Sequence, residues 1–253
     1  SVPLPNHLHV EWGLKALAAG KHVLIEKPLA LSAEEIDPLI AARDATGLFA
    51  AEAYMIVHHP QWSLVRDWLD AGRIGPLRHV DTAFTFCNPD PGNIRNRAET
   101  GGGSIPDIGV YAYSSVRFAA RAEPVSMTAR IHRENGVDTM AQVWGEMAGP
   151  HGRFTFGAMT STRLFPRQEA TFQGTEGRIT LAAPFNAGSY AEAQVTLHGM
   201  NCAEMRRFPN VNQYVLQVEA FGAHLREGAP YPWTLEDARG GQAMIDMVRA
   251  GEI

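Results

Sequence analysis

Along the first 76 residues, apolar positions alternate between helical stripes and short unbroken runs. Val10, Leu14, Leu17 and Ala18 recur at helical spacing, and Gly20 ends the stretch. Val23, Leu24 and Ile25 then form a continuous apolar run that stops abruptly at Glu26 and Lys27. This is the pattern of a parallel strand buried on both faces. Ser32 and Glu35 have the spacing of a capping box, with Ile36, Leu39 and Ile40 as the stripe of the helix it opens and Gly47 as its end. Pro38 falls inside that stretch and predicts a bend in its first turns. Phe49 to Ile56 reads as a second buried strand, closing on Glu52, Tyr54 and Met55. Trp62, Val65 and Leu69 give a third helical stripe, closed by Gly72 and by Gly75-Pro76. Helices alternating with buried strands mean a parallel sheet.

Beyond residue 76 the period changes to two. Val80, Thr82, Phe84 and Phe86 alternate with His79, Asp81, Ala83 and Thr85, and Val125, Met127, Ala129 and Ile131 alternate with polar neighbours. Phe154, Phe156 and Ala158 repeat the pattern, and residues 172–179 read as a hairpin turn between two further strands. Several strands with one polar face predict a large, mostly antiparallel, open-faced sheet. Tyr214, Val218, Phe221 and Leu225 mark an amphipathic helix ended by Gly228, and Thr234 to Asp237 caps a last helix. The expected fold class is α/β with a boundary after residue 76: a parallel-sheet domain over 1–76 and an α+β domain over 77–253.

Composition narrows the function classes. A chain of 253 residues with a net charge of −5 carries no basic excess for nucleic acid, and no apolar run reaches the length of a membrane span. Cys87 and Cys202 lack metal or redox spacing, so two reduced cysteines in a cytoplasmic protein are expected. The pairs His7/His9 and His58/His59 have no further ligands at metal spacing, and no metal is expected.

Chemistry is expected at two places. Lys27 stands at the carboxyl end of a buried strand, the edge of an open α/β sheet where ligands bind, and Pro28 restricts it. Gly101-Gly102-Gly103 lets backbone approach a ligand closely, and Ser104 to Asp107 has the spacing of a helix start with Pro106 in its first turn. Asp107 and Tyr111 lie four apart and share one helix face.

These two stretches resemble the Gfo/Idh/MocA family of nicotinamide-dependent sugar and polyol oxidoreductases. The likeness rests on Pro5-Asn6-His7-Leu8-His9, Ala16 to Val23, Glu26-Lys27-Pro28 and Gly101 to Tyr111, and it extends over essentially the whole chain. It implies the second half of a Rossmann-type parallel sheet, with the Gly-x-Gly-x-x-Gly turn and the residue that separates NAD from NADP lying upstream of Ser1. It also implies NAD or NADP as cofactor, bordered by Pro5, Asn6, His9, Glu26, Lys27 and Pro28. Tyr111, where many members carry His, resembles the branch of aldose dehydrogenases, glucose-fructose oxidoreductase and dihydrodiol dehydrogenases, as does Asn93-Ile94-Arg95.

The implied reaction is hydride transfer between nicotinamide and a sugar or polyol carbon. Tyr111 would be acid-base, Lys27 would lower its pKa from the usual ~10, and Asp107 would orient the substrate. Arg95 and Arg97 are candidate substrate or phosphate contacts, and His59 a candidate pocket residue. A homodimer or higher homo-oligomer through the open sheet face is implied as well. The sequence departs from the family pattern at Leu4, usually Ser or Thr, and at Val57, commonly Arg. The pyrophosphate turn lying outside these residues, together with Val57, leaves a non-catalytic cofactor sensor or scaffold of the same fold as the alternative. Metal-assisted hydrolysis by His58 and His59 is a third and weaker reading.

Overall fold

The computed structural model describes residues 1–253. Val2 bridges to Ile25 in parallel, and helix α1 (His9–Ala18) leads into strand β1 (Val23–Glu26). Helix α2 (Asp37–Thr46), strand β2 (Ala50–Ala53) and helix α3 (Pro60–Asp70) follow. β1 and β2 pair in parallel from Val23↔Ala50 to Glu26↔Ala53. All of β2 and the apolar part of β1 are buried, as unbroken apolar runs require. Gly13 lets α1 lie directly on this sheet, because a Cβ there would stand 2.6 Å from Ile25 Cδ1.

Three details of this region differ from the sequence expectation. Ser32 caps nothing: Glu35 Oε2 accepts instead from the Leu31 amide at 2.9 Å, and the Ala33 amide donates to Asp246 Oδ2 at 2.7 Å. Pro38 introduces no bend, since α2 begins at Asp37 and a proline in the first turn removes no helical hydrogen bond. The second strand stops at Ala53, because the Tyr54 amide turns back to the Glu52 carbonyl and a 3₁₀ turn, Met55–His58, takes over.

The remaining elements are β3 (Leu77–Cys87), α4 (Val110–Ala120), β4 (Glu123–Glu134), β5 (Val137–Gly149), β6 (Gly152–Ser161), β7 (Arg163–Gly174), β8 (Gly177–Leu181), β9 (Ala193–Gly199), β10 (Ala203–Phe208), α5 (Gln213–Glu227) and α6 (Leu235–Ala250). The ten-to-three run forms one eight-stranded sheet in the order β10-β9-β8-β7-β3-β6-β5-β4. Only β3 and β6 pair in parallel; every other neighbour is antiparallel. One face of the sheet buries Val80, Phe156, Phe172 and Val195 beneath α3 and α4, the second of which is buried along its whole length, while the other face is open. A single apolar cluster runs from Leu17 and Ile25 through Trp62 and Phe84 to Ile245 and Val248, so both sheets share one core.

The helix expected from Tyr214, Val218, Phe221 and Leu225 is α5, but its apolar stripe faces outward. Tyr214, Val215, Val218 and Leu225 are exposed, whereas Gln213 and Gln217 are buried. The groups beneath α5 explain the inversion: Gln213 Nε2 donates to the Phe185 carbonyl at 2.8 Å, an acceptor that an apolar side chain would leave unpaired. Val125 is likewise exposed although it sits in the predicted inward register. The last helix keeps its expected cap, with Thr234 and Asp237 satisfying each other's amides. No helix is long and apolar enough to cross a membrane.

Candidate active site

Lys27 emerges from β1 as expected and meets the helix that carries Asp107 and Tyr111. Its Nζ donates to the Asp107 carbonyl at 2.7 Å and to Asp107 Oδ1 at 2.8 Å. Arg95 Nε donates to the other carboxylate oxygen, Oδ2, at 2.6 Å. Asp107 is therefore a buried carboxylate shared by two cations. Burial pushes its pKa up, but Lys27 and Arg95 outweigh that and hold it below the usual carboxylate value.

The start of this helix is built differently from the sequence expectation. Ile105–Gly109 is a wide π turn leading into α4, and Ser104 does not cap it. The cap comes from across the sheet: Asp138 on β5 accepts from the Ile105 amide at 2.6 Å and from Ser104 Oγ at 2.8 Å. Gly103 makes room for it, since at φ +127° a Cβ would lie 2.2 Å from Asp138 Oδ1.

Tyr111 lies beneath Lys27, whose Nζ is 4.9 Å from the ring centre. The phenol stacks on Tyr54 at 5.7 Å and donates a long hydrogen bond, 3.5 Å, to Met55 Sδ. Its pKa is raised well above the ordinary tyrosine value, first by burial and then by Tyr214, Asp107 and Glu26. This corrects the expectation that Lys27 lowers it. The ammonium donates its hydrogen bonds to Asp107 and meets Tyr111 only through the ring face, so nothing offsets the loss of water around a phenolate.

Two chambers meet at this cluster and share Glu26, Lys27, Arg95 and Asp107. The larger, about 510 Å³, is walled by Met55, Phe84, Phe86, Tyr111 and Tyr214, with Thr85, Gln168 and Asn186 as its further polar groups. The smaller, about 210 Å³, is bordered by Pro3, Leu4, Asn6, Thr100 and Gly102. Of the residues expected beside the cofactor, Asn6, Glu26 and Lys27 border this smaller chamber, and Asn6 Nδ2 is pinned to the Gly101 carbonyl at 2.9 Å. Pro5, His9 and Pro28 do not border it. His9 is fully buried between the carbonyls of Pro28 and Leu4, each 2.7 Å from a ring nitrogen, and so braces the two loops that do.

His59, expected in the pocket, is not among the lining residues. It is fully buried, caps α3 through Nδ1 and packs against Phe208. Burial pushes both His58 and His59 down to about 4, so both are neutral at pH 7. No cluster of three metal-ligating side chains exists there or elsewhere in the chain. Arg97 pairs with Glu99 on the surface, away from both chambers.

Sequence reasoning missed four groups. Gln168 and Asn186 lock together through two hydrogen bonds of 2.8 and 2.9 Å, and Tyr214 closes the outer wall from α5. These come from a strand, a loop and a helix with no local motif to flag them. Glu52 on β2 is the fourth: it accepts from the Leu29 amide and from Trp233 Nε1, each at 2.8 Å, directly behind the Glu26-Lys27 corner. Burial, only partly countered by those hydrogen bonds, pushes its pKa up to about 7.

Known proteins resemble the chain over nearly its whole length. A family model described as "Oxidoreductase family, NAD-binding Rossmann fold" matches residues 1–54, and one described as "GFO/IDH/MocA C-terminal domain" matches residues 62–180. The uncharacterized oxidoreductase ORF334 of Rhizobium meliloti is 39% identical over 98% of this chain and 75% of its own. D-xylose 1-dehydrogenase (NADP(+)) 2 of Haloferax volcanii is 32% identical over 90% of this chain and 69% of its own. The crystal structure of KijD10, a 3-ketoreductase from Actinomadura kijaniata in complex with NADP and TDP-benzene, superposes with a TM-score of 0.87 at 32% identity, over 99% of this chain and 77% of that one. By the two family models, by identity over nearly its whole length and by its fold, the chain belongs to the Gfo/Idh/MocA family of NAD(P)-binding oxidoreductases.

Proposed function

We propose that the protein interconverts a carbonyl and a carbinol carbon of a sugar or polyol, using NAD or NADP, with Tyr111 as the group that gives and takes the hydroxyl proton. The observation that carries this reading is a buried phenol and a half-buried ammonium facing one cavity from two different elements, Tyr111 from α4 and Lys27 from the end of β1. A relative that oxidises xylose and a structural neighbour that is a 3-ketoreductase support the substrate class.

Asn6, Glu26 and Lys27 fit a nicotinamide ring in the smaller chamber, because Asn6 is pinned at its border and Lys27 stands at its junction with the larger one. Bound there, the cofactor supplies or accepts the hydride. The protein's own part is the proton. As hydride reaches the carbonyl carbon, negative charge builds on its oxygen, and the Tyr111 O–H, kept protonated by burial, transfers its proton to that oxygen. Lys27, oriented by Asp107, stabilises the same charge. A phenol held neutral favours the reductive direction at pH 7, and oxidation gains as pH rises.

Residues 1–76 would then supply the nucleotide side and 77–253 the substrate side. The open sheet face bears a shallow depression of about 530 Å³ lined by Asp81, Gln142, Trp144, Arg167 and Glu169, which suits a second copy of this chain. Free Cys87 and Cys202 suit the cytoplasm.

Tyr111→Phe tests the reading. With NADPH and a panel of aldoses, turnover is expected to fall at least ~100-fold, the usual worth of a positioned proton donor. Thermal unfolding should shift little, since the only lost contact is the long one to Met55. A variant that keeps the wild-type rate ends the proposal.

A further inference from the structure

Arg95 stands on the partition between the two chambers and uses one of its three guanidinium nitrogens there. Nε donates to Asp107 Oδ2, and neither terminal nitrogen finds an acceptor in the protein. The Arg95 side chain keeps 39% of its surface exposed, against 10% for Asp107, so the unused end of the fork is on the wet side of the ion chain. Its backbone is clamped. The Gly103 amide donates to the Arg95 carbonyl at 2.9 Å, a Cβ on Gly102 would stand 2.5 Å from the same oxygen, and Asn93 Oδ1 accepts from the Arg95 amide at 3.1 Å.

A planar guanidinium held in place with two parallel N–H donors free is built for an oxyanion taken up by both at once. The surrounding charges leave that role to Arg95. Lys27 and Asp107 offset each other in a 2.8 Å pair. Glu26 borders both chambers with no ion-pair partner and repels an anion, so only the fork makes an anionic ligand tolerable there.

We infer that Arg95 selects sugars bearing an oxyanion, a phosphoryl group or a carboxylate, over neutral sugars, gripping it with both terminal nitrogens while Nε keeps Asp107 aligned on Lys27. This rests on the larger chamber being the substrate site, as proposed above. One guanidinium then joins recognition to alignment: a ligand on its free end fixes the plane that presents Nε to Asp107.

The test uses the full chain, titrated calorimetrically with glucose, glucose 6-phosphate and glucuronate, and assayed for NADPH-dependent turnover of the same three. At least one charged sugar is expected to bind roughly 10- to 100-fold more tightly than glucose, the worth of hydrogen bonds to a charged group. Whether the phosphate or the uronate is preferred identifies the source of the oxyanion. Arg95→Met is expected to bring the charged-to-neutral ratio of kcat/KM close to one, mainly through KM. Arg95→Lys, with a point charge but no fork, should fall between.

Equal binding of the three sugars, no binding of either charged one, or a preference that survives in Arg95→Met overturns the inference. Charged sugars that bind through Arg95 yet are never turned over would leave it standing and remove the oxidoreductase reading. Turnover of neutral sugars alone would do the reverse.

Discussion

Two carboxylates flank the Glu26-Lys27 corner, Asp107 in front on Lys27 and Glu52 behind on the Leu29 amide, and they are handled in opposite ways. Asp107 is 7% exposed and Glu52 2%, so both are cut off from water. Asp107 faces two cations and stays ionised well below neutrality. Glu52 faces only neutral N–H donors, from Leu29 and Trp233, and its pKa rises to about 7. Burial alone does not decide whether a carboxylate keeps its charge; the charge of what donates to it does. The site thus has a permanent anion at its centre and a titratable one directly behind it.

The largest effect that would sharpen this contrast is removal of the paired carboxylate. Asp107→Ala strands Lys27 and Arg95 without their shared partner, and the unfolding free energy in urea is expected to drop by roughly 3–5 kcal/mol, the range for breaking a buried ion pair. Combining it with Lys27→Ala should recover part of that loss. Strictly additive losses would mean that the two groups do not interact in the folded protein.

Glu52→Gln comes next. A carboxyl whose folded pKa is about 7, against 4.5 unfolded, contributes stability that is complete below pH 4.5 and is lost as pH rises through 7. The stability of the native protein relative to Glu52→Gln should therefore fall by on the order of 3 kcal/mol between pH 4.5 and 7.5. His58 and His59, pushed down to about 4, slope the other way: their contribution is present above pH 6.5 and lost as pH falls through 4. Where these opposing slopes overlap, Glu52 offsets about one of the two histidines, so native stability still falls as pH drops below 6.5, and Glu52→Gln should make that fall about twice as steep. A flat profile in the variant would break the comparison.

The smallest effect belongs to a third carboxylate, half-buried at the start of the substrate-side helix. Asp138 resembles Glu52 in facing neutral donors, Ile105 N and Ser104 Oγ, and burial again raises its pKa. Asp138→Ala leaves both donors without an acceptor, at roughly 1–3 kcal/mol by denaturant unfolding, while Asp138→Asn keeps an acceptor and should lose less. Equal losses would show that the cap contributes nothing.

What the sequence revealed and what it hid divide along physical lines. Lys27, Asp107 and Tyr111 were singled out because two stretches resembling one family carry them, where local period alone would have read a surface lysine and a core tyrosine, and the fold does bring the three together. The ion chain through Arg95 was half legible: Arg95 and Asp107 each stood out, but not their pairing. Glu52 and Trp233, or Asp138 and Ile105, meet only through the fold, and no spacing announces such pairs. The α5 stripe shows the same limit from another side. Periodicity found the helix, yet a carbonyl at Phe185 and not the hydrophobic pattern decided which face turned inward. His59 looked like a pocket residue because it matches a frequent family histidine, and the structure makes it a buried helix cap instead.

The position of β3 in the large sheet has a consequence for how the cavity comes into being. β6 and β7 are separated by Thr162 alone, yet β3 lies between them, pairing with one in parallel and with the other in antiparallel register. The strands on either side can zip into meanders through neighbouring hairpins, whereas β3 must wait until both partners have been synthesised and then thread between them, against the entropy of a long loop. Phe84, Thr85 and Phe86 ride on that strand, so the chamber's wall is a late arrival in folding, and a chain stalled before this insertion would present an open seam between β6 and β7 to other unfinished chains.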